Sequence, residues 1–146
     1  MRRYYGAEPV FVWDVYDDSN RPVRGVHVNE IRLWKIYPEF IRKTFERAFS
    51  REALVGADTE HRVIEKEWQE VFTKLRNMTV KCDCGSDTFA DLDEPMSVCI
   101  SCGREMIRPM VMSVKKYKVA LGSGTKLYAC HVSPDSDDIS EIRGEV

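Results

Sequence analysis

Hydrophobic residues in the middle of the chain recur with the period of an α-helix. A helix can begin near Pro38, because the N–H that proline lacks would have no partner in the first helical turn. One apolar stripe follows this proline. Its members are Ile41, Phe45, Ala48 and Phe49. A second stripe has i, i+3, i+4 and i+7 spacing and comprises Trp68, Val71, Phe72 and Leu75. The pattern therefore predicts one amphipathic helix from about Pro38 and a second over roughly residues 65–78.

The segments that flank these helices lack helical periodicity. The first thirty residues are predicted to be extended and rich in turns. Within them, residues 9–13 form either a short strand or a buried extended segment. Residues 51–58, which include Gly56, are predicted to form a connection between the two helices.

Beyond Thr79 the pattern changes to the two-residue alternation of half-buried strands. It is present in residues 111–114 and 117–121. Residues 122–124 then predict a three-residue turn, and residues 125–130 predict a returning partner strand. The fold class is therefore α+β, with a helical region over residues 1–79 and a strand-rich region with a β-hairpin and a polar tail over residues 80–146.

Composition excludes several classes of protein. With 43% hydrophobic and 32% charged residues, the chain has an ordinary globular composition. A net charge of −2 provides no global basic field that would attract nucleic acid. No apolar run approaches the roughly 20 residues that cross a bilayer, and the N-terminus lacks the apolar core of a secretory signal. We therefore expect no membrane association.

Four cysteines form the most informative motif. Cys82 and Cys84 lie in Lys-Cys-Asp-Cys-Gly, and, after 14 intervening residues, Cys99 and Cys102 lie in Cys-Ile-Ser-Cys-Gly. Two such hooks can surround one tetrahedral zinc ion, and a closed four-sulfur shell leaves zinc no open position for chemistry. The first hook is tighter than the usual Cys-x-x-Cys. The sequence predicts a structural Zn²⁺ site, with free buried thiols or a disulfide pair as the alternatives.

The remaining cysteine and the histidines are weaker candidates. Cys130 is predicted to be a small hydrophobic residue of a strand, because nothing nearby would clearly lower its pKa. His131 is an alternative metal ligand in place of one cysteine. Since four of the five cysteines have metal-type spacing, we expect a reducing compartment and a cytoplasmic location.

Other candidate chemistry is less specific. The glycines near residue 122 match neither a Walker loop nor a nucleotide-binding Gly-rich loop. No acid–base or nucleophile constellation is evident, so we expect neither an enzyme nor a small-molecule substrate. The strand region is locally basic, which is typical either of a solvated face or of a nucleic-acid-binding zinc ribbon. Its charged residues are Arg104, Arg108, Lys115, Lys116, Lys118 and Lys126, against Glu105 alone.

Residues 33–49, LWKIYPEFIRKTFERAF, resemble a helix of the late C-lobe of bacterial eukaryotic-like protein kinases. Arg62, followed by Glu67 and Trp68, resembles the arginine of those kinases that pairs with the glutamate ending the activation segment. The chain also resembles kinase-like proteins associated with tellurium-resistance-type phosphorylation systems. The elements that match in order are a loop at residues 17–22, both helices, the cysteine ribbon and a Leu-Tyr…His strand.

The resemblance implies a helical unit shaped like the end of a kinase C-lobe, followed by a zinc ribbon. The Gly-rich loop, strand lysine, His-Arg-Asp loop and Asp-Phe-Gly motif that phosphoryl transfer requires do not occur in this sequence. We therefore expect a non-catalytic regulatory or protein-docking module of a bacterial kinase-like signalling protein. Its expected partners are a kinase region or components of the phosphorylation system. The alternative is a nucleic-acid-binding zinc-ribbon protein.

Overall fold

The computed structural model describes residues 8–56, 62–114, 116–122 and 125–132. The described elements are helices and short antiparallel strands, which confirms the α+β class. The helices are α1 (Val28–Ile36), α2 (Glu39–Ala48), α3 (Arg51–Val55), α4 (Glu65–Asn77) and α5 (Ala129–Val132). The strands are β1 (Thr79–Lys81), β2 (Asp87–Phe89), β3 (Met96–Val98), β4 (Glu105–Ile107), β5 (Met110–Val114) and β6 (Tyr117–Leu121). None of the helices in these ranges is long and apolar enough to cross a bilayer.

The chain divides into two compact units, Met1–Phe72 and Thr73–Val146. In the first unit, α2 begins where the sequence predicts, with Pro38 as its N-cap. Lys43 Nζ lies 2.8 Å from a carboxylate oxygen of Glu39, an i, i+4 pair that supports the first turn. Ile41 on the opposite face is only 2% exposed and anchors the helix in the core.

Aromatic rings pack against one another in the first unit. The Phe45 ring of α2 lies 5.0 Å from the Trp68 ring of α4, centroid to centroid, in an edge-on arrangement. The Trp34 ring of α1 stacks on Trp13 at 5.3 Å and meets Phe11 edge-on at 6.0 Å. Residues 9–13 are thus a half-buried segment rather than a strand, and their rings join the core through α1.

Two helices of the first unit, α1 and α3, were not predicted from the sequence. Residues 51–55, expected to be part of a connection, form the single-turn helix α3 because the Ser50 hydroxyl caps the Ala53 N–H at 3.2 Å. The expected extended N-terminal region ends earlier than predicted, since α1 begins at Val28. No residue of α1 is buried, so its apolar residues define its inner face less clearly than those of α2 and α4 do.

The second unit contains three separate antiparallel hairpins. Thr79 pairs with Phe89 in β1–β2, Met96 with Ile107 in β3–β4, and Met110 with Leu121 in β5–β6. The predicted strands over residues 111–114 and 117–121 are confirmed as β5 and β6. The second predicted helix is also confirmed as α4, whose residues from Thr73 onward belong to this unit.

The predicted pairing of residues 117–121 with a strand at 125–130 is wrong. β6 pairs instead with the preceding strand β5, with Val114 opposite Tyr117. Just after β6, the Thr125 hydroxyl accepts the Gly122 N–H at 2.8 Å. Residues 129–132 then form α5. Positions 123, 124 and 133–146, which include part of the predicted turn and the polar tail, lie outside the described residues.

Candidate metal centre

The first cysteine hook is the connection between β1 and β2. The Cys82 N–H donates to the Ser86 carbonyl at 3.0 Å, and the Gly85 N–H donates to the Cys82 carbonyl at 2.8 Å. Gly85 has φ of +86°, a left-handed conformation that glycine reaches without the strain of a Cβ. The loop therefore curls around Cys82 and places the Cys84 thiol close to the Cys82 thiol.

The second hook, between β3 and β4, repeats this arrangement. The Cys99 N–H donates to the Arg104 carbonyl at 2.8 Å, and the Gly103 N–H donates to the Cys99 carbonyl at 2.9 Å. Gly103 has φ of +70°. The Ser101 N–H points at the Cys99 sulfur at 3.4 Å. Backbone N–H groups directed at sulfur stabilise a thiolate, so this hook is built to hold an anion.

Thr88 joins the two hooks and could not be recognised from the sequence. Its side chain, only 1% exposed, lies in β2, and its hydroxyl accepts the Ile100 N–H from the second hook at 3.2 Å. A buried hydroxyl between two loops holds them in register because leaving either group unpaired would be costly. Alternation along a three-residue strand gives no signal for such a long-range contact.

The four predicted sulfur atoms converge. Cys82 and Cys102 lie 3.8 Å apart, as do Cys84 and Cys99, and all four sulfur atoms lie within 4.8 Å of one another. A metal–sulfur distance of about 2.3 Å in a tetrahedron gives an edge of about 3.8 Å between sulfurs. A disulfide would bring two sulfurs to about 2.05 Å, and all four cysteines are free thiols. The group could therefore hold one metal ion.

The electrostatics of the group favour a bound cation. The backbone N–H and hydroxyl of Ser86 lower the pKa of Cys84 to about 6, and the backbone N–H of Cys102 lowers the pKa of Cys99. The backbone N–H of Cys84 also lowers the pKa of Cys82. Burial and the three neighbouring thiols outweigh this hydrogen bond and raise the pKa of Cys82 to about 11. A dication would offset the repulsion among the thiolates and deprotonate the last thiol.

The other sequence candidates lie outside this group. Among the described residues, the set of side chains close enough to share an ion contains these four cysteines and no histidine, so His131 does not replace one of them. Cys130 is 3% exposed and lies in α5 rather than in a strand. Its burial agrees with the predicted role of a small hydrophobic side chain.

Comparisons with known proteins add no relative. No protein-family model matches this chain, and neither the curated proteins nor the solved structures contain a match. The resemblance to kinase-like proteins therefore rests on the sequence motifs alone.

Proposed function

We propose that Cys82, Cys84, Cys99 and Cys102 bind one structural Zn²⁺. The convergence of four thiols at tetrahedral spacing supports this proposal. Sulfur-only tetrahedral sites select zinc or iron, and a closed shell leaves zinc no position for a substrate. Elemental analysis of the purified chain should find one zinc and no iron per molecule. A well-folded preparation with iron instead of zinc, or with neither metal, would contradict the assignment.

We further propose that the zinc module is a non-catalytic docking surface for a protein partner. The observation that carries this proposal is the outer face of the β3–β4 hairpin. Met96 and Ile107 are paired across the two strands, and they and Val98 are 48%, 85% and 58% exposed. A two-stranded sheet normally presents polar residues to solvent, and an exposed apolar face on a small hairpin is typical of an interaction site.

The sequence resemblance supplies the proposed context of this docking surface. It supports a bacterial cytoplasmic signalling protein of the kinase-like class, in which the module regulates or recruits other components. The partner would be a kinase region or a protein of the associated phosphorylation system. Residues 33–49 and the Arg62 region, which resemble kinase C-lobes, lie outside the zinc module, whereas the cysteine ribbon is one of the elements that resemble the tellurium-resistance-type proteins. Docking through the hairpin can be tested without the C-lobe-like residues being altered.

The test compares partner capture by the zinc-loaded chain and by an Ile107→Asp variant. A charge at a position that is 85% exposed should leave folding intact but abolish docking through an apolar face. The matched control is Val15→Asp, because Val15 is a 62% exposed apolar residue of the first unit. A partner captured by wild type and control but lost with Ile107→Asp supports the proposal. Equal capture by all three chains refutes docking through this face.

Nucleic-acid binding remains the alternative, although charge pairing weakens it. Lys118 forms an ion pair with Asp93, and this lysine lowers the pKa of the Asp93 carboxyl. Arg104 Nη1 lies 3.5 Å from an Asp83 carboxylate oxygen. Both lysine and arginine would have to give up these contacts to bind phosphate. Oligonucleotide binding at low salt whose affinity falls steeply as salt is added would favour the alternative.

A further inference from the structure

A second group of polar side chains lies in the second unit, at the end of α4 and in α5. The guanidinium carbon of Arg76 sits 3.5 Å from the centroid of the Tyr128 ring. The His131 ring lies 5.5 Å from the same tyrosine ring and is 0% exposed. Asn77, the next residue of α4, is 3% exposed. We call Arg76, Asn77 and His131 the buried donor cluster.

Several nitrogen atoms of this cluster have no hydrogen-bond partner in the part of the chain that the structure describes. They are buried and comprise Arg76 Nε, Arg76 Nη2, Asn77 Nδ2 and His131 Nε2. His131 Nδ1 accepts the Tyr128 N–H at 3.3 Å, so the neutral ring carries its proton on Nε2. All four atoms are therefore donors. Buried polar groups in folded proteins nearly always have a partner, and this group lacks an acceptor.

The two unpaired nitrogen atoms of Arg76 indicate which kind of acceptor this cluster could bind. Nε and Nη2 form one edge of the guanidinium, where two N–H bonds run parallel. That edge matches the two oxygens of a carboxylate and forms paired, charge-assisted hydrogen bonds. The Tyr128 ring holds the guanidinium plane in place. A water molecule lacks the negative charge that a carboxylate would bring to the guanidinium.

We propose that the buried donor cluster binds a carboxylate group of a polypeptide, with the Arg76 edge as its main contact. The carboxylate has two candidate sources. One is the chain itself, because the sequence after Val132 carries Asp135, Asp137, Asp138, Glu141 and Glu145. Covalent attachment this close to His131 would give these groups a high effective concentration. The other source is an acidic segment of a partner protein.

The experiment follows the Arg76 Nε–H by ¹H–¹⁵N NMR in the zinc-loaded full chain. Arg76→Lys keeps the charge but removes the paired edge, and loss of a signal in this variant assigns it. Arg51→Lys, at an exposed position in α3, is the matched control. A full-length variant with all five C-terminal carboxylates neutralised (D135N, D137N, D138N, E141Q and E145Q) tests the internal source. Sodium acetate and inorganic phosphate are then titrated into this variant.

Exchange of the Arg76 Nε–H with water separates the outcomes. If the chain supplies the carboxylate, exchange should be slow in wild type and about tenfold or more faster after neutralisation. If a partner supplies it, neutralisation should have no effect, and acetate should slow exchange in a saturable way. Saturation by phosphate but not acetate would overturn the carboxylate assignment. Exchange that responds to neither neutralisation nor acetate would overturn the site itself.

Discussion

Replacement of Cys99 by serine provides the sharpest test of the metal centre. Cys99 is 2% exposed, and its sulfur lies 3.8 Å from that of Cys84. A serine hydroxyl keeps the size of the side chain but is a much weaker zinc ligand than a thiolate. Removing one of four ligands should reduce zinc affinity by more than the 10- to 100-fold typical of outer-shell changes (about 1.4 to 2.7 kcal/mol).

The structure sets the scale of the effect on stability. Between Thr79 and Ile107, Leu92 is the single large aliphatic side chain that is buried, at 7% exposure. Burying one leucine contributes about 1.5–3 kcal/mol, whereas structural zinc in a small module contributes on the order of 10 kcal/mol. The strands β1 to β4 are three residues long each, and isolated hairpins are marginally stable. The ion should therefore dominate the stability of this segment.

We expect Cys99→Ser to lose bound zinc and to lose amide protection throughout residues 79–107. The assays are zinc content after gel filtration and hydrogen exchange measured by mass spectrometry. Cys130→Ala is the matched control, because Cys130 is also buried but lies outside the cluster. It should retain one zinc and normal protection in the hairpins. A Cys99→Ser chain with full zinc content and wild-type protection would refute the reasoning.

Two further predictions concern the hook backbone and the buried histidine. Gly103→Ala should destabilise the second unit by about 1–2 kcal/mol because its φ is +70°, whereas Gly122→Ala, where no such conformation is required, should cost little. Chemical denaturation measures both, and equal losses would contradict the backbone explanation. Burial and then the Arg76 charge lower the pKa of His131, so the unfolded chain takes up the proton first as the pH falls. Stability should therefore decline below about pH 6.5, at most by about 1.4 kcal/mol per pH unit, and His131→Asn at saturating zinc should remove this component. An unchanged pH profile in the variant would disprove it.

Local sequence patterns were sufficient to predict the helices that have one clearly apolar face. α2 and α4 could be predicted because a helix that packs one face must repeat its apolar residues every three or four positions. α3 carries a usable signal in Ser50, which caps the Ala53 N–H. α1 has a weaker signal, since no residue of it is buried and its Trp34 ring packs only half-buried against Trp13.

The incorrectly predicted hairpin shows that local patterns do not determine which strands pair. Residues 125–130 alternate as a strand would, but alternation does not select a partner. In the structure β6 pairs with β5, the strand that precedes it in the sequence, and residues 125–130 contribute no strand to that two-stranded sheet. The Thr125 hydroxyl instead contacts Gly122 and Ala120.

The sequence by itself determined which residues can bind metal, because cysteine spacing and the glycine after each hook are local requirements of the loop. Tertiary structure alone decided what surrounds them. Thr88 bridges the hooks, Met96, Val98 and Ile107 are exposed on β3–β4, and Arg76 meets Tyr128 across 52 positions of sequence. The physical reason is that these contacts depend on how hairpins and helix ends pack together. The periodicity of apolar residues along the sequence does not predict that packing.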